Sequence, residues 1–402
     1  MNTHITHKSS RWLTSTVFGI GLASLFSDLS HEAVTAVFPA LLASMGVAAG
    51  VLGTIEGVAD GLSSAAKLYG GWLADRLHRR KPLCAVGYGA MAIATGIIAA
   101  ATTWPVILLG RGLAWIARGI RTPARKALLA EAVTPKTYGR AFGFERTMDT
   151  LGAIIAPLVV LALLGIGIKQ RTVLWFAVIP ALLSVAAIAF LVRETAERTP
   201  SPRPFLASVR GLPKRFIRFL YGVGIFGAGD FAHSLMILYA VAALTPTFGA
   251  IRAATMSVGL YALHNLAYAG ISYPAGALAD KFNKRVLLAI GYTIGAATVL
   301  LLALNVTSLP ALAVAFILGG AYVGIEETLE DSLAAELLPE VVRGTGFGAM
   351  AVVNGVGDLV SSLCVGWLWA AFGARVGFGF AFVLMTIGIV VVWTMRYPQE
   401  AG

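Results

Sequence analysis

The sequence predicts an all-α membrane protein with twelve transmembrane helices in two pseudo-symmetric six-helix bundles. Three observations lead there. Apolar runs of about 20 residues recur along the whole chain, the length an α-helix needs to cross a bilayer. The cations fall overwhelmingly on one side of the resulting spans. Landmarks of the first half return in the second at a single offset of 205 residues.

Composition supports the first observation. The 402 residues are 57% hydrophobic and only 13% charged, with a mean hydropathy of +0.79. Soluble domains carry about 25% charged residues. A membrane β-barrel would instead show alternating segments of about ten residues. The net charge of +11 does not imply a nucleic-acid partner, because the cations are not gathered on a soluble domain. The two cysteines, Cys84 and Cys364, both lie in apolar spans and build neither a disulfide framework nor a Cys-based zinc site. Residues 1–11 are short and polar, and the apolar segment after them is too long for a cleaved signal, so it is expected to remain as the first span.

The expected spans are 13–45, 48–75, 83–102, 104–132, 138–165, 172–192, 217–245, 252–278, 286–306, 310–338, 345–369 and 376–395. Between the sixth and seventh lies Thr199-Pro200-Ser201-Pro202-Arg203-Pro204, a stretch of proline, serine and cations with no apolar periodicity. It marks a cytoplasmic linker, residues 193–216, between an amino-terminal bundle (1–192) and a carboxy-terminal bundle (217–402). With the amino terminus in the cytoplasm, twenty of the 31 Lys and Arg residues fall in cytoplasmic segments and four in outer loops. The positive-inside rule supports that orientation, with both termini cytoplasmic and the chain in the cytoplasmic (inner) membrane. Seven cations remain within spans: Lys67, Arg111, Arg118, Arg121, Arg125, Lys126 and Arg146.

The repeat is seen at several places. Leu73-Ala74-Asp75 matches Leu278-Ala279-Asp280, and Phe142-Gly143 matches Phe347-Gly348. The stretch from Gly119 to Glu131 matches that from Gly324 to Glu336, with Gly-Ile at one end and Leu-x-Ala-Glu at the other, but its charge is inverted. Arg121 becomes Glu326, Arg125 becomes Glu330 and Lys126 becomes Asp331. In the first span Asp28-Leu29-Ser30-His31 matches Asp230-Phe231-Ala232-His233 at an offset of 202.

After the second span the chain reads Gly71-Trp72-Leu73-Ala74-Asp75-Arg76-Leu77-His78-Arg79-Arg80-Lys81. This resembles the signature loop of the major facilitator superfamily of secondary transporters, Gly-x-Leu-Ala-Asp-Arg-x-Gly-Arg-Arg/Lys, with His78 at the usual glycine. A second copy, Gly276-Ala277-Leu278-Ala279-Asp280-Lys281-Phe282-Asn283-Lys284-Arg285, follows the eighth span. Arg111 is similar to the arginine of the family's fourth-span motif, although Trp115 replaces its glycine. In the fifth span, Gly152-Ala153-Ile154-Ile155-Ala156-Pro157 resembles the antiporter motif Gly-x-x-x-Gly-Pro, with Ala156 in place of the second glycine and no glycine pair after Pro157. The resemblance covers essentially the whole chain. It implies a transporter working by alternating access, with a substrate site between the halves near midplane. It also implies conformational latches at Asp75 and Asp280, each able to accept hydrogen bonds from a helix amino terminus. Antiport, and so efflux, is what the fifth-span motif implies.

Charge inside a membrane is costly and marks function by default. Asp28, His31 and Glu32 share one helix face in span one, with Asp230 and His233 at matching positions in span seven. Carboxylates and histidines of this kind are suited to carrying protons, and proton coupling is the leading expectation. Two Asp and two His from two helices also suit a transition-metal ion, so a metal exporter built on Asp28, His31, Asp230 and His233 is the alternative. Glu56 and Asp60 share a face of span two and would pair internally with Lys67 or Arg111, or meet substrate. Arg111, Arg118 and Arg125 recur every seven residues and would line a wet pathway or attract an anion. Arg121, Arg125 and Lys126 are expected to face Glu326, Glu330 and Asp331 across a cytoplasmic gate.

No nucleotide-binding loop, zinc-protease helix motif or soluble catalytic domain is present in the sequence, and an enzyme is not expected. The expected partners are a small-molecule or ion substrate, protons and the lipid bilayer, with a monomer as the working unit and no cofactor.

Overall fold

The computed structural model describes residues 12–44, 63, 65–194, 200, 201 and 203–394. Among these the architecture is all-helical. The amino-terminal half holds α1 (Ser15–Ser44), α2 (65–76), α3 (Lys81–Ala100), α4 (Trp104–Ala132), α5 (Tyr138–Gly165) and α6 (Gln170–Ala186). A short helix, α7 (Phe205–Arg210), lies in the linker. The second half holds α8 (Lys214–Gly227), α9 (His233–Phe248), α10 (Ala250–Ala279), α11 (Lys284–Ala303), α12 (Leu309–Leu337), α13 (Arg343–Phe372) and α14 (Ala374–Thr394).

Starts and stops follow from local chemistry. Proline stands in the first helical positions of α3, α4 and α12, where its missing N–H would have had no partner anyway. Between α13 and α14 the chain reverses at Gly373, whose φ of +92° a side chain would oppose. Seven of the described helices are long and apolar enough to cross a membrane by length and composition. The cation-crowded α4 is not one of them, yet it is bracketed by α3 and α5, which are.

One expected element differs. Span seven, anticipated as a continuous helix over 217–245, is divided into α8 and α9 by the segment 228–232, which contains Asp230. The run is apolar on both sides of Asp230, so mean hydropathy does not reveal the break. Gly227 precedes it and Gly229 lies within it, and Gly229 faces the Ala381 carbonyl and Met385 of α14 at distances that leave no room for a Cβ.

Within each half, α1 packs on α5 and α6, and α3 on α4; in the other half α10 packs on α12 and α11 on α14. Across the halves the broad contact is α5 against α10. Its counterpart at the 205-residue offset is α2 against α13, where Gly71 meets the Gly344 carbonyl and Gly348 the Lys67 carbonyl. In both contacts the helices approach backbone to backbone. A Cβ on Gly71, Gly344, Gly139 or Gly276 would collide with the carbonyl of the opposing glycine, so no other residue fits those four positions without separating the helices.

Candidate functional site

Each cross-half contact ends in a carboxylate. Asp75, at the end of α2, is fully enclosed and accepts hydrogen bonds from the first turn of α13: Gly344 N at 2.9 Å, Thr345 N at 2.7 Å and the Thr345 hydroxyl at 2.8 Å. Asp280, following α10, accepts from the first turn of α5: Gly139 N at 2.8 Å, Arg140 N at 3.1 Å and Arg140 Nε at 2.8 Å. A helix amino terminus offers orphan N–H groups and a positive dipole end, and a carboxylate satisfies both. The remainder of the first signature loop divides by exposure. Arg80 is completely buried, 2.6 Å from Asp75 and paired with Glu131, and it also donates to the Glu340 carbonyl. Arg76 is exposed and lies over the Trp72 ring, and Arg79 and Lys281 are exposed.

Of the three cross-half pairs expected, one is made. Lys126 Nζ lies 2.6 Å from Asp331 Oδ1 across the halves. The other two expected pairs are not made. Arg121 turns into its own half, donating to the Ser27 hydroxyl at 2.6 Å with its guanidinium over the Tyr88 ring. Arg125 is held by Glu145 at 2.8 Å and Asp149 at 3.7 Å, with the Ser24 hydroxyl as a further partner. Glu330 accepts from the Tyr292 hydroxyl at 2.6 Å and from Asn354 Nδ2 at 3.0 Å, both in its own half, while Glu326 lines a cavity. The reason is rotational: successive positions on a helix point about 100° apart, and only one of the three aligned positions faces the opposite half. A cross-half cation that the repeat did not suggest is Arg146 on α5, 3.0 Å from Glu327 and 3.5 Å from Asp331, with Tyr268 also donating to Glu327. Arg146 and Glu327 correspond by offset to Ala351 and Thr122, so matching the two halves passes over both. The unmatched charges themselves were the available signal.

The matched acids of spans one and seven have different surroundings. Asp28 on α1 pairs with Arg118 of α4 at 3.1 Å. Asp230, in the break, instead accepts a hydrogen bond from the neutral Tyr322 hydroxyl of α12. His31 stacks edge-on against Trp115 at 5.1 Å, whereas His233 meets the buried His264 at 4.5 Å. The four residues of the metal alternative are therefore not gathered. Among the described residues no group of three or more His, Cys, Asp and Glu side chains is arranged to hold a metal ion. Glu32 and Arg111 both have partners, and the Arg111 guanidinium donates to the Thr35 hydroxyl at 3.1 Å and lies 5.6 Å from the Trp115 ring. Gly152 of the fifth-span motif lies against Leu25, Asp28 and Leu29, so α1 seats Asp28 directly on α5. Pro157 lies within α5. Glu56 and Asp60 fall outside the described residues.

A cavity of about 200 Å³ opens beside the break. Its walls come from α8, the 228–232 segment and the start of α9, together with α12 and α13. Its polar side chains are Asp230, His233, Glu326, Glu327, Asn354 and Asp358. Among the described residues no Lys or Arg lines it. Asp358 and the Tyr322 donor were not anticipated.

Helical bundles meeting at two symmetry-matched carboxylate contacts, with buried charge between them, describe a multi-pass membrane transporter. The family profile described as the Major Facilitator Superfamily matches residues 20–260 and 222–402, and the chain belongs to that family. It is 27% identical over 369 residues to an uncharacterized MFS-type transporter of Methanocaldococcus jannaschii, covering 92% of each chain. It is 27% identical to a probable 4-methylmuconolactone transporter of Cupriavidus pinatubonensis (91% of this chain, 86% of the relative). It is 25% identical to the cis,cis-muconate transport protein of Acinetobacter baylyi, over 88% of each. In three dimensions it is similar to the human organic anion transporter MFSD10 (TETRAN), with a TM-score of 0.76 at 18% identity, covering 94% of this chain and 99% of the other. These are transporters, not enzymes, and this chain is a transporter of small solutes.

Proposed function

We propose that the protein is a proton-coupled antiporter of a small organic acid in the cytoplasmic membrane, working as a monomer by alternating access. On this reading the signature-loop end of the bundle is cytoplasmic, and the form described is closed on that side. The observation that carries it is the pair of matched contacts, Asp75 on the α13 amino terminus and Asp280 on the α5 amino terminus. Two latches related by the internal repeat close one end as a unit, and breaking both together lets the halves rock.

The substrate class draws on two supports. Relatives carry names referring to muconate and 4-methylmuconolactone, both derived from small organic acids. The amino-terminal half also presents Arg118, a quarter exposed and only partly engaged by Asp28, a guanidinium suited to recognising a carboxylate. Antiport follows the direction suggested by Gly152 and Pro157 in the fifth span. We assign Asp28, His31, Glu32, Asp230 and His233, with Arg111 and Arg118, to the central pathway, and Lys126 and Asp331, joined by Arg146 and Glu327, to the gate.

The test is flux in proteoliposomes of the purified full chain. Labelled cis,cis-muconate is expected to move when a pH gradient is imposed and to do so more slowly when the gradient is collapsed. Flux indifferent to the gradient would refute proton coupling. Failure to move muconate or any of a panel of small mono- and dicarboxylates would refute the substrate class.

A further inference from the structure

The buried carboxylates of this chain are not treated alike. Asp28 faces Arg118, Glu145 and Asp149 face Arg125, Asp331 faces Lys126, and Asp75 is held by Arg80 and the α13 amino terminus. In the second half Glu330 is held by two neutral donors, Tyr292 and Asn354. Glu326 is the exception among the described residues: 7% exposed, it has neither a hydrogen-bond donor nor a cation as partner. It lines the cavity beside the α8–α9 break.

We infer that this cavity is the proton-loading site of the carboxy-terminal half, with the Glu326 carboxyl as the group that takes up and releases the proton. The inference rests on the proton-coupled reading above and names its seat. Three features support it. A largely buried carboxylate with neither donor nor cation beside it favours a positive ligand, where the buried acids Asp28, Glu145 and Asp149 of the amino-terminal half already have arginine. The groups around it supply none. Asp230 comes from the break, Glu327 from α12 and Asp358 from α13; Glu330 lies one turn further along α12, and Asn354 Oδ1 on the wall is itself without a donor. The cations nearby bear on its neighbours rather than on Glu326: Arg146 lies 3.0 Å from Glu327, and Lys67 of α2 acts on Asp358 and has partners of its own. Finally, among the described residues no group of three or more His, Cys, Asp and Glu side chains is arranged to hold a metal ion, which favours the proton over a coordinated metal.

His233 gives the site a second titratable group on the same wall. Its ring meets His264, and the Nε2 atoms of both are buried without a partner. In the loading step a proton from water bonds to one Glu326 oxygen and converts the carboxylate to the acid. In release the same O–H bond breaks and the proton returns to water, so the step balances without a co-reactant. The site lies on α12 beside the gate residues Glu327 and Asp331, so parting of the gate changes the exposure of Glu326.

Infrared difference spectroscopy on the purified full-length protein across a pH titration tests this directly. The wild type is expected to show the carbonyl band of a protonated buried carboxyl that titrates. Glu326→Gln is expected to lose it, and Glu326→Asp to restore it at a shifted frequency. Thermal melting of all three checks folding, and the Asp variant keeps the test decisive if the Gln variant melts early. A band unchanged in Glu326→Gln overturns the inference, as does loss of the wild-type band on adding sodium, which would make the ligand a metal cation. The flux assay separates the two proposals. Muconate movement that ignores the pH gradient while the band persists sinks proton coupling but not the site. Gradient-driven movement undiminished in Glu326→Gln sinks the site but not the coupling.

Discussion

Lys126 Nζ and Asp331 Oδ1 lie 2.6 Å apart, and the two residues occupy the same position of the internal repeat, 205 residues from each other. A duplicated helix has thus acquired opposite charges at one point where the copies meet near the pseudo-twofold axis. Arg146 joins the pair by reaching both Asp331 and Glu327. Contact between the halves at this end is therefore electrostatic as well as steric.

Reversing either charge should open this end. Lys126→Glu and Asp331→Lys are each expected to lengthen spin-label distances between the ends of α4 and α12. The double reversal is expected to recover most of the closed distance. A thermal double-mutant cycle should return a coupling of about 0.5–3 kcal/mol, the range for residues in direct contact. Additive single effects would show that the pair contributes nothing to closure.

The glycine contacts should be as sensitive as the charges. Gly139→Ala and Gly276→Ala place a methyl against the opposing carbonyl and should cost about 1–3 kcal/mol, as overpacking does. The cost falls on the closed form, so distances between α5 and α10 should rise. Gly96→Ala, with open space around its Cβ position, is the control and should leave those distances unchanged.

The two latch aspartates should differ in weight. Asp75→Asn removes charge-assisted bonds to α13 and also half of the environment of Arg80, which is 0% exposed. Asp280→Asn leaves Arg140, whose side chain is 32% exposed and reaches water. Loss of closed-state stability of about 0.3–2 kcal/mol is expected for Asp280→Asn, the worth of a carboxylate charge at a helix amino terminus, and more for Asp75→Asn. Comparative thermal melts decide the order.

Arg125→Ala should damage folding rather than gating. It leaves Glu145 with only the Ser24 hydroxyl, while Asp149 retains Arg146. Breaking a buried pair from one side costs about 3–5 kcal/mol. The yield of folded protein should fall, and Arg125→Ala with Glu145→Gln should recover part of it.

The sequence already carried most of the architecture. Apolar length marks spans, and the 205-residue offset places Asp75 with Asp280 before any contact is seen, because both properties belong to the chain in order. Cation placement likewise needs no tertiary structure to suggest orientation. Three things depended on the folded molecule. The break at 228–232 replaces the regular helical hydrogen-bond ladder by turn bonds while the flanking residues stay apolar, so an apolar count reads across it. The surroundings of Arg121, Arg125, Glu326 and Glu330 depend on rotation about each helix axis, which aligned positions do not specify. Finally, whether an acid in the bilayer meets a guanidinium, as Asp28 does, or a neutral hydroxyl, as Asp230 does, is settled by helices far apart in sequence. The repeat predicted that the two aspartates would match, and packing gave them different surroundings.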